Sequence, residues 1–363
     1  MTGRKTYISY IRAVACIGIV FLHTFTMCTV AFPDMIKEDS GTVFFLVPYL
    51  MMWAVPCFVM VTGALLLERS KDITYGKVFK KYIPRVLRAL ILCVMFFRFL
   101  DIWMNKESFS TAVFGDILKK LYTGKSWAHL WYLYLIIGLY LLMPAFKKIT
   151  DNLETKELMI LCVIYMIFVS VVPLLNDATE VTTGFYITTN SIFPAYLMIG
   201  HMIDSERVTV RRSVSVILTV IGFIGIAALE YYKAFTESEF VKNTLDKYLG
   251  SYAFIPVIIL SVGVFSLFKN SASSEGKEKS GNNIIGRWLL SVDKCSFGVY
   301  LIHLVFLRYV FKCTEFKPYE RNGVLMTTGL AVAVFVCSYL CVWIFNFIYK
   351  SIKGDKKKNE IKE

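Results

Sequence analysis

The chain has 363 residues, 56% of them hydrophobic, with a mean hydropathy of +0.57 and a net charge of +13. Apolar stretches of about twenty residues recur from end to end, which excludes an ordinary water-soluble domain and defines one transmembrane domain over residues 1–349, followed by a basic tail at 350–363. The excess of lysine and arginine is what loops on one face of a membrane carry, so it gives no reason to expect a nucleic acid partner.

Ten membrane-spanning helices are predicted, at residues 8–30, 43–67, 83–104, 128–146, 157–175, 185–203, 213–232, 251–268, 284–311 and 323–349: an all-α polytopic bundle with both termini on one side. With Arg85, Arg88 and Arg287 at span starts counted with their loops, that side holds 25 of the lysines and arginines against 11 on the other, with 4 deeper inside spans, so both termini are expected to be cytoplasmic and the protein to lie in the cytoplasmic membrane. A cleaved signal peptide is disfavoured for the first segment, whose apolar stretch is long and contains an arginine. Between spans three and four, Phe109, Val113, Phe114, Ile117, Leu118, Leu121 and Tyr122 recur at helical spacing with Asp116, Lys119 and Lys120 between them. This predicts an interfacial helix, either a roof over an outward-facing site or a passive connector. Lys269 to Arg287 reads as a flexible linker and 350–363 as a polar tail at the lipid surface. The nine cysteines fall mostly inside spans without paired ligand spacing and read as packing residues, so no metal site is expected.

Ionisable groups inside a span are costly and point to function. Arg12 and His23 lie eleven residues apart in the first span, three turns and about 20°, so both side chains share a face about 16 Å apart along the membrane normal. Arg12 suits phosphate and His23 proton transfer near neutral pH, a separation fitted to a long acyl carrier such as coenzyme A. The plainer reading is that Arg12 snorkels to headgroups and His23 bonds a neighbouring helix. At the start of span three, Pro84 fits a first helical turn, and Arg85 and Arg88 then share a face, able to grip phosphates or simply to mark the cytoplasmic side.

No carboxylate is assigned to His23: Asp101, Glu230 and Asp293 are the acids within spans, and each is expected to satisfy a nearby cation, for example Asp101 with Arg98. His129 and His303 fall on the outer half, and Ser296, Tyr300 and His303 share a helical face, a polar seam directed at the interior. His201, at the inner end of span six, reads as structural. Trp131, Tyr132, Thr188, Thr189 and Asn190 are placed near the outer face, where rings and hydroxyls suit a sugar acceptor, although the aromatics also fit an interfacial belt.

These motifs resemble acyltransferase family 3, integral-membrane acyltransferases that include O-acetyltransferases of bacterial surface polysaccharides. The segment from Tyr10 to His23 matches the family's arginine, ten residues, histidine signature, and Arg85-Val-Leu-Arg88 its arginine pair. Val55 to Gly63, with Thr62 where serine is usual, His129-Leu-Trp-Tyr-Leu133, Gly138 to Pro144 and Ser296 to His303 match in order over nearly the whole chain, and the fourth-span pattern looks most like the branch of the enterobacterial common antigen acetyltransferase. The resemblance implies transfer of an acyl group, commonly acetyl, from cytoplasmic acyl-CoA to a hydroxyl of an envelope glycan or glycolipid, with acyl-CoA as a substrate and no bound cofactor. Arg12, Arg85 and Arg88 would hold the donor, and His23 would act as general base or carry the acyl group. His129, Trp131, Thr189, Asn190, Ser296, Tyr300 and His303 would support or bind the acceptor. Embedded charges and the prolines Pro56, Pro173, Pro194 and Pro256 leave a transporter or flippase as the alternative.

Overall fold

A computed structural model describes residues 6–33, 41–179, 191–274, 284–314, 316–317 and 322–359. Every regular element among the described residues is helical. In chain order they are α1 (Thr6–Ala31), α2 (Gly41–Leu50), α3 (Ala54–Leu66), α4 (Tyr75–Lys77), α5 (Ile83–Asn105), α6 (Ala112–Thr123), α7 (Trp131–Asn152), α8 (Thr155–Met166), α9 (Val172–Thr179), α10 (Phe193–Asp204), α11 (Arg212–Phe235), α12 (Glu239–Leu249), α13 (Ile255–Ser274), α14 (Ile284–Cys313) and α15 (Gly323–Asn359). Single π turns, Val78–Tyr82 and Ile167–Val171, join α4 to α5 and α8 to α9. Pro84 sits, as expected, in the first turn of α5, and Glu154 with Glu157 forms a capping box on α8.

Among the described residues seven stretches are long and apolar enough to cross a membrane, fewer than the ten expected: Thr6–Ala31, Thr42–Leu66, Ala128–Asn152, Thr155–Thr179, Arg212–Phe235, Ile284–Cys313 and Gly323–Ile352. The described parts of the other three expected spans are largely helical but differ for physical reasons. α5 is long but carries Arg85, Arg88, Arg98 and Asp101. The apolar part of α13, Ile255–Ser271, is short. α10 has 12 residues, and residues 180–190 before it lie outside the described residues. The deeper charges of α5 are paired, Arg98 with Glu107 (2.7 Å) and Asp116 (2.6 Å), and Asp101 with Arg308 (2.7 Å), which lowers the cost of holding them in an apolar setting.

The first helix forms the centre. α1 packs against α2, α3, α13, α14 and α15, burying Ile8, Ile11, Ala15, Ile19 and Val20. Three contacts fix how α14 lies along it: Arg12 meets Asp293, Cys16 meets the Ser296 carbonyl and His23 meets His303, at sequence separations of 281, 280 and 280. A constant separation means that the two helices run parallel and in register, as the first and ninth of ten alternating spans should.

Small residues set other distances. A Cβ added at Gly63 would lie 1.9 Å from the Leu197 carbonyl oxygen, and one at Gly200 would lie 2.3 Å from that of Met60, so α3 and α10 touch backbone to backbone. Gly200→Ala is therefore expected to destabilise the bundle by about 2 kcal/mol or more. Gly138→Ala, on an open face of α7, should be neutral. Thermal unfolding in detergent distinguishes the two, and equal melting would refute the close approach.

The amphipathic helix expected after span three forms as α6, with Val113 and Ile117 buried and Phe114, Leu118 and Tyr122 exposed. Beside it, Asn105 and Arg98 hold the Glu107 carboxylate below its usual pKa range. One expectation is corrected. The linker does not begin at Lys269, because α13 continues to Ser274, with Lys269 bonded to the Asp204 carbonyl (2.9 Å) and Asn270 to that of Val210 (2.9 Å). α15 runs through Asn359, so the basic tail is helical over most of its length.

Candidate active site

The parallel pairing of α1 with α14 lines up two rows of polar groups along one cavity of about 410 Å³. Arg12, Tyr82, Arg85, Tyr140 and Asp293 line one end, and His23, His129, Trp131, Tyr252 and Tyr300 the other. Leu66, Phe58 and Ile136 supply an apolar wall between them, with Thr62, whose hydroxyl donates to the Phe58 carbonyl, beside it. The long axis follows α1, so the two ends are about 16 Å apart.

At the arginine end, Arg12 Nε donates to Asp293 Oδ1 (2.6 Å) and Nη2 makes a second contact with the same oxygen. The Asp293 side chain is fully buried, whereas that of Arg12 is 29% exposed and borders the cavity. Asp293 thus orients the guanidinium and leaves part of it available to an anion.

At the histidine end, hydrogen-bond direction fixes the tautomers. His303 Nδ1 faces the carbonyls of Tyr300 (2.8 Å) and Val299 (3.2 Å), which only accept, so this nitrogen carries the proton. In the neutral ring, His303 Nε2 is then an acceptor, and His23 Nδ1, 2.8 Å away, must donate to it. The remaining nitrogen of His23, Nε2, is left with its lone pair. The two rings are nearly parallel, at 14° with centroids 5.0 Å apart, and His303 is wholly buried behind His23.

His129 completes the cluster, its ring 6.4 Å from that of His23 and 5.3 Å from that of His303. Its Nε2 donates to the Leu301 carbonyl (3.1 Å), and Tyr300 Oη donates to the His129 carbonyl. The short 3₁₀ turn Ala128–Leu130 that carries it is clamped by Trp127, whose ring stacks on Phe97 (4.2 Å) and under the Arg308 guanidinium (4.1 Å) while its Nε1 donates to Asp101 (3.1 Å). Trp131 stacks on Tyr252 at 5.5 Å, giving a flat aromatic wall. Three imidazoles converge here, yet among the described residues no group of three or more His, Cys, Asp or Glu is placed to hold a metal ion.

Of the residues singled out in the sequence, Arg12, His23, Arg85, His129, Trp131, Ser296 and Tyr300 line this one cavity. His303 stands behind it. Arg88, exposed like Arg85, does not line the cavity: its Nε donates back to the Pro84 carbonyl (3.0 Å). Thr188, Thr189 and Asn190 lie outside the described residues. Asp101 takes Arg308 and Trp127 in place of the expected Arg98, which turns to Glu107 and Asp116. His201 is buried away from the cavity. Sequence reasoning missed Tyr82, Tyr140 and Tyr252 as cavity residues, since single tyrosines near span ends look like any interfacial aromatic.

Residues 5–346 match the family model of the acyltransferase domain of acyltransferase family 3. The chain belongs to this family. No curated protein and no solved structure gives a match. Membership makes the protein a membrane acyltransferase and decides between enzyme and carrier. For an acyltransferase the paired tautomers have direct meaning, because a basic nitrogen facing the reactants can take the proton of an acyl acceptor.

Proposed function

We propose that this acyltransferase moves an acyl group, most simply acetyl, from acyl-CoA supplied on the cytoplasmic side to a hydroxyl of an envelope glycan or glycolipid at the outer face, as an O-acetyltransferase of the surface-polysaccharide type. The observation that carries this reading is the single cavity joining an oriented guanidinium, Arg12, to an imidazole whose free lone pair is on Nε2. An acyl thioester on a flexible arm fits that length, with its anionic end near Arg12 and Arg85 and its carbonyl near His23. The loops at the Arg12 end carry the excess of positive charge, which supports a cytoplasmic donor side. Trp131 and Tyr252 offer flat faces of the kind that sugar rings stack on.

In the proposed reaction, His23 Nε2 takes the proton of the acceptor hydroxyl as its oxygen attacks the thioester carbonyl. The carbon–sulfur bond then breaks, and the imidazolium returns that proton to the departing thiolate, giving an ester and free CoA thiol. His303 accepts from His23 Nδ1–H throughout and stabilises the transient cation. The test is transfer of label from radiolabelled acetyl-CoA by the purified full chain in detergent, with and without a mixed glycan pool. Label appearing in the glycan fraction is expected. Folded protein that neither turns over nor binds the thioester would overturn the donor assignment.

A further inference from the structure

A second cavity, of about 540 Å³, lies one helical turn beyond the arginine end of the first. The continuity is built into two elements. On α7, Tyr140 lines the first cavity, and Pro144, Lys147 and Asp151, at steps of four, three and four residues on the same face, line the second. After α3, whose Leu65 and Leu66 line the first cavity, the chain continues into Arg69 to Tyr75, the opposite wall of the second.

The chemistry of this cleft is specific. Among its cations, Lys147 is held by Asp151 (2.6 Å) and Lys71 Nζ donates to the Leu65 carbonyl, while Asp72 is held by Lys77 (2.8 Å). Arg69 and Lys148 are exposed on facing walls, and among the described residues neither side chain has an ion-pair or hydrogen-bond partner. Tyr75 stands at the rim with 54% of its surface exposed, a flat ring beside two uncommitted cations. Cations that can grip phosphate, an aromatic face for a base, and a position next after the reaction cavity along α3 and α7 are together what a nucleoside phosphate on a flexible arm needs.

We infer that this cleft binds the nucleotide head of the thioester donor, with Arg69 and Lys148 on its phosphates and Tyr75 against its base. The inference rests on the proposed acyl-CoA donor. It makes Arg12 and Arg85 contacts for the arm and its inner end, and it moves the main phosphate site outward to residues that the first-span motif does not include. A phospholipid headgroup would share the phosphate chemistry, but it has no flat base for Tyr75 and no reason to continue into the reaction cavity.

The experiment compares two donors, acetyl-CoA and acetyl-pantetheine, which lacks the nucleotide and its phosphates, using the full chain in neutral detergent and in vesicles with and without anionic lipid. Arg69→Ala/Lys148→Ala is expected to raise KM for acetyl-CoA about tenfold with little change in kcat, and to leave KM for acetyl-pantetheine within about twofold. Arg69→Lys/Lys148→Arg, which keeps the charge, should restore most of the loss. Equal effects on both donors, or no effect on either, would overturn the cleft assignment while leaving the donor reading intact. An effect seen only with anionic vesicles and shared by both donors would reassign the cleft to lipid. Wild-type protein that uses neither donor would remove the donor reading and this inference with it.

Discussion

Replacing His23 by alanine lowers the transfer rate by about 10³-fold or more, the loss expected when the proposed acceptor of the hydroxyl proton is gone. The more informative variants are at His303. His303→Phe keeps an aromatic ring behind His23 but removes the acceptor for His23 Nδ1–H, freeing the tautomer and the ring orientation; a loss of about 10²-fold in kcat is expected. His303→Gln can place an amide oxygen where Nε2 stood and should stay within about tenfold of wild type. Steady-state rates across pH would show the difference in a second way, because the acidic limb, on which a general base becomes protonated, should shift in the phenylalanine variant, where the charged form of His23 has lost its partner. If phenylalanine and glutamine variants were equally active, His303 would be packing only and the tautomer assignment would lose its functional meaning.

Arg12 and His23 were legible in the sequence because both their helix and their shared face follow from an eleven-residue step on one strongly apolar segment. The partners were harder to find, although a signal existed. Asp293 and His303 are ten residues apart, nearly the Arg12 to His23 spacing, on a helix that span parity makes parallel to α1. Two parallel helices with matched spacings can be laid side by side, and doing so pairs Arg12 with Asp293 and His23 with His303 at once. No such rule gives Asp101 to Arg308, a contact between residues 207 apart, over the local choice of Arg98. Local spacing gave the wrong partner because Arg98 is drawn to Glu107 and Asp116 in the segment that follows, and that depends on how α6 folds back on α5. The acceptor side was least legible, since aromatic residues near a membrane surface have an adequate reason to be there without any substrate.

The Arg12–Asp293 pair separates a structural ion pair from a donor contact. Asp293→Ala removes the carboxylate from a fully buried position and strands the guanidinium, so a loss of about 3 to 5 kcal/mol in folding stability is expected. Arg12→Met/Asp293→Leu removes both charges and fills the space with apolar side chains, and it should recover most of that stability, because a buried pair gains little over well-packed hydrophobic residues. Activity should not return with it. If Arg12 holds the inner end of the donor's arm, next to its first phosphate, the double variant melts close to wild type in detergent yet raises KM for acetyl-CoA by about 10²-fold, since the guanidinium that met the donor is absent. A double variant that regains both stability and KM would show that Arg12 serves only to neutralise Asp293. The two measurements answer different questions because one arginine has two faces, one turned to a buried carboxylate and the other to the cavity.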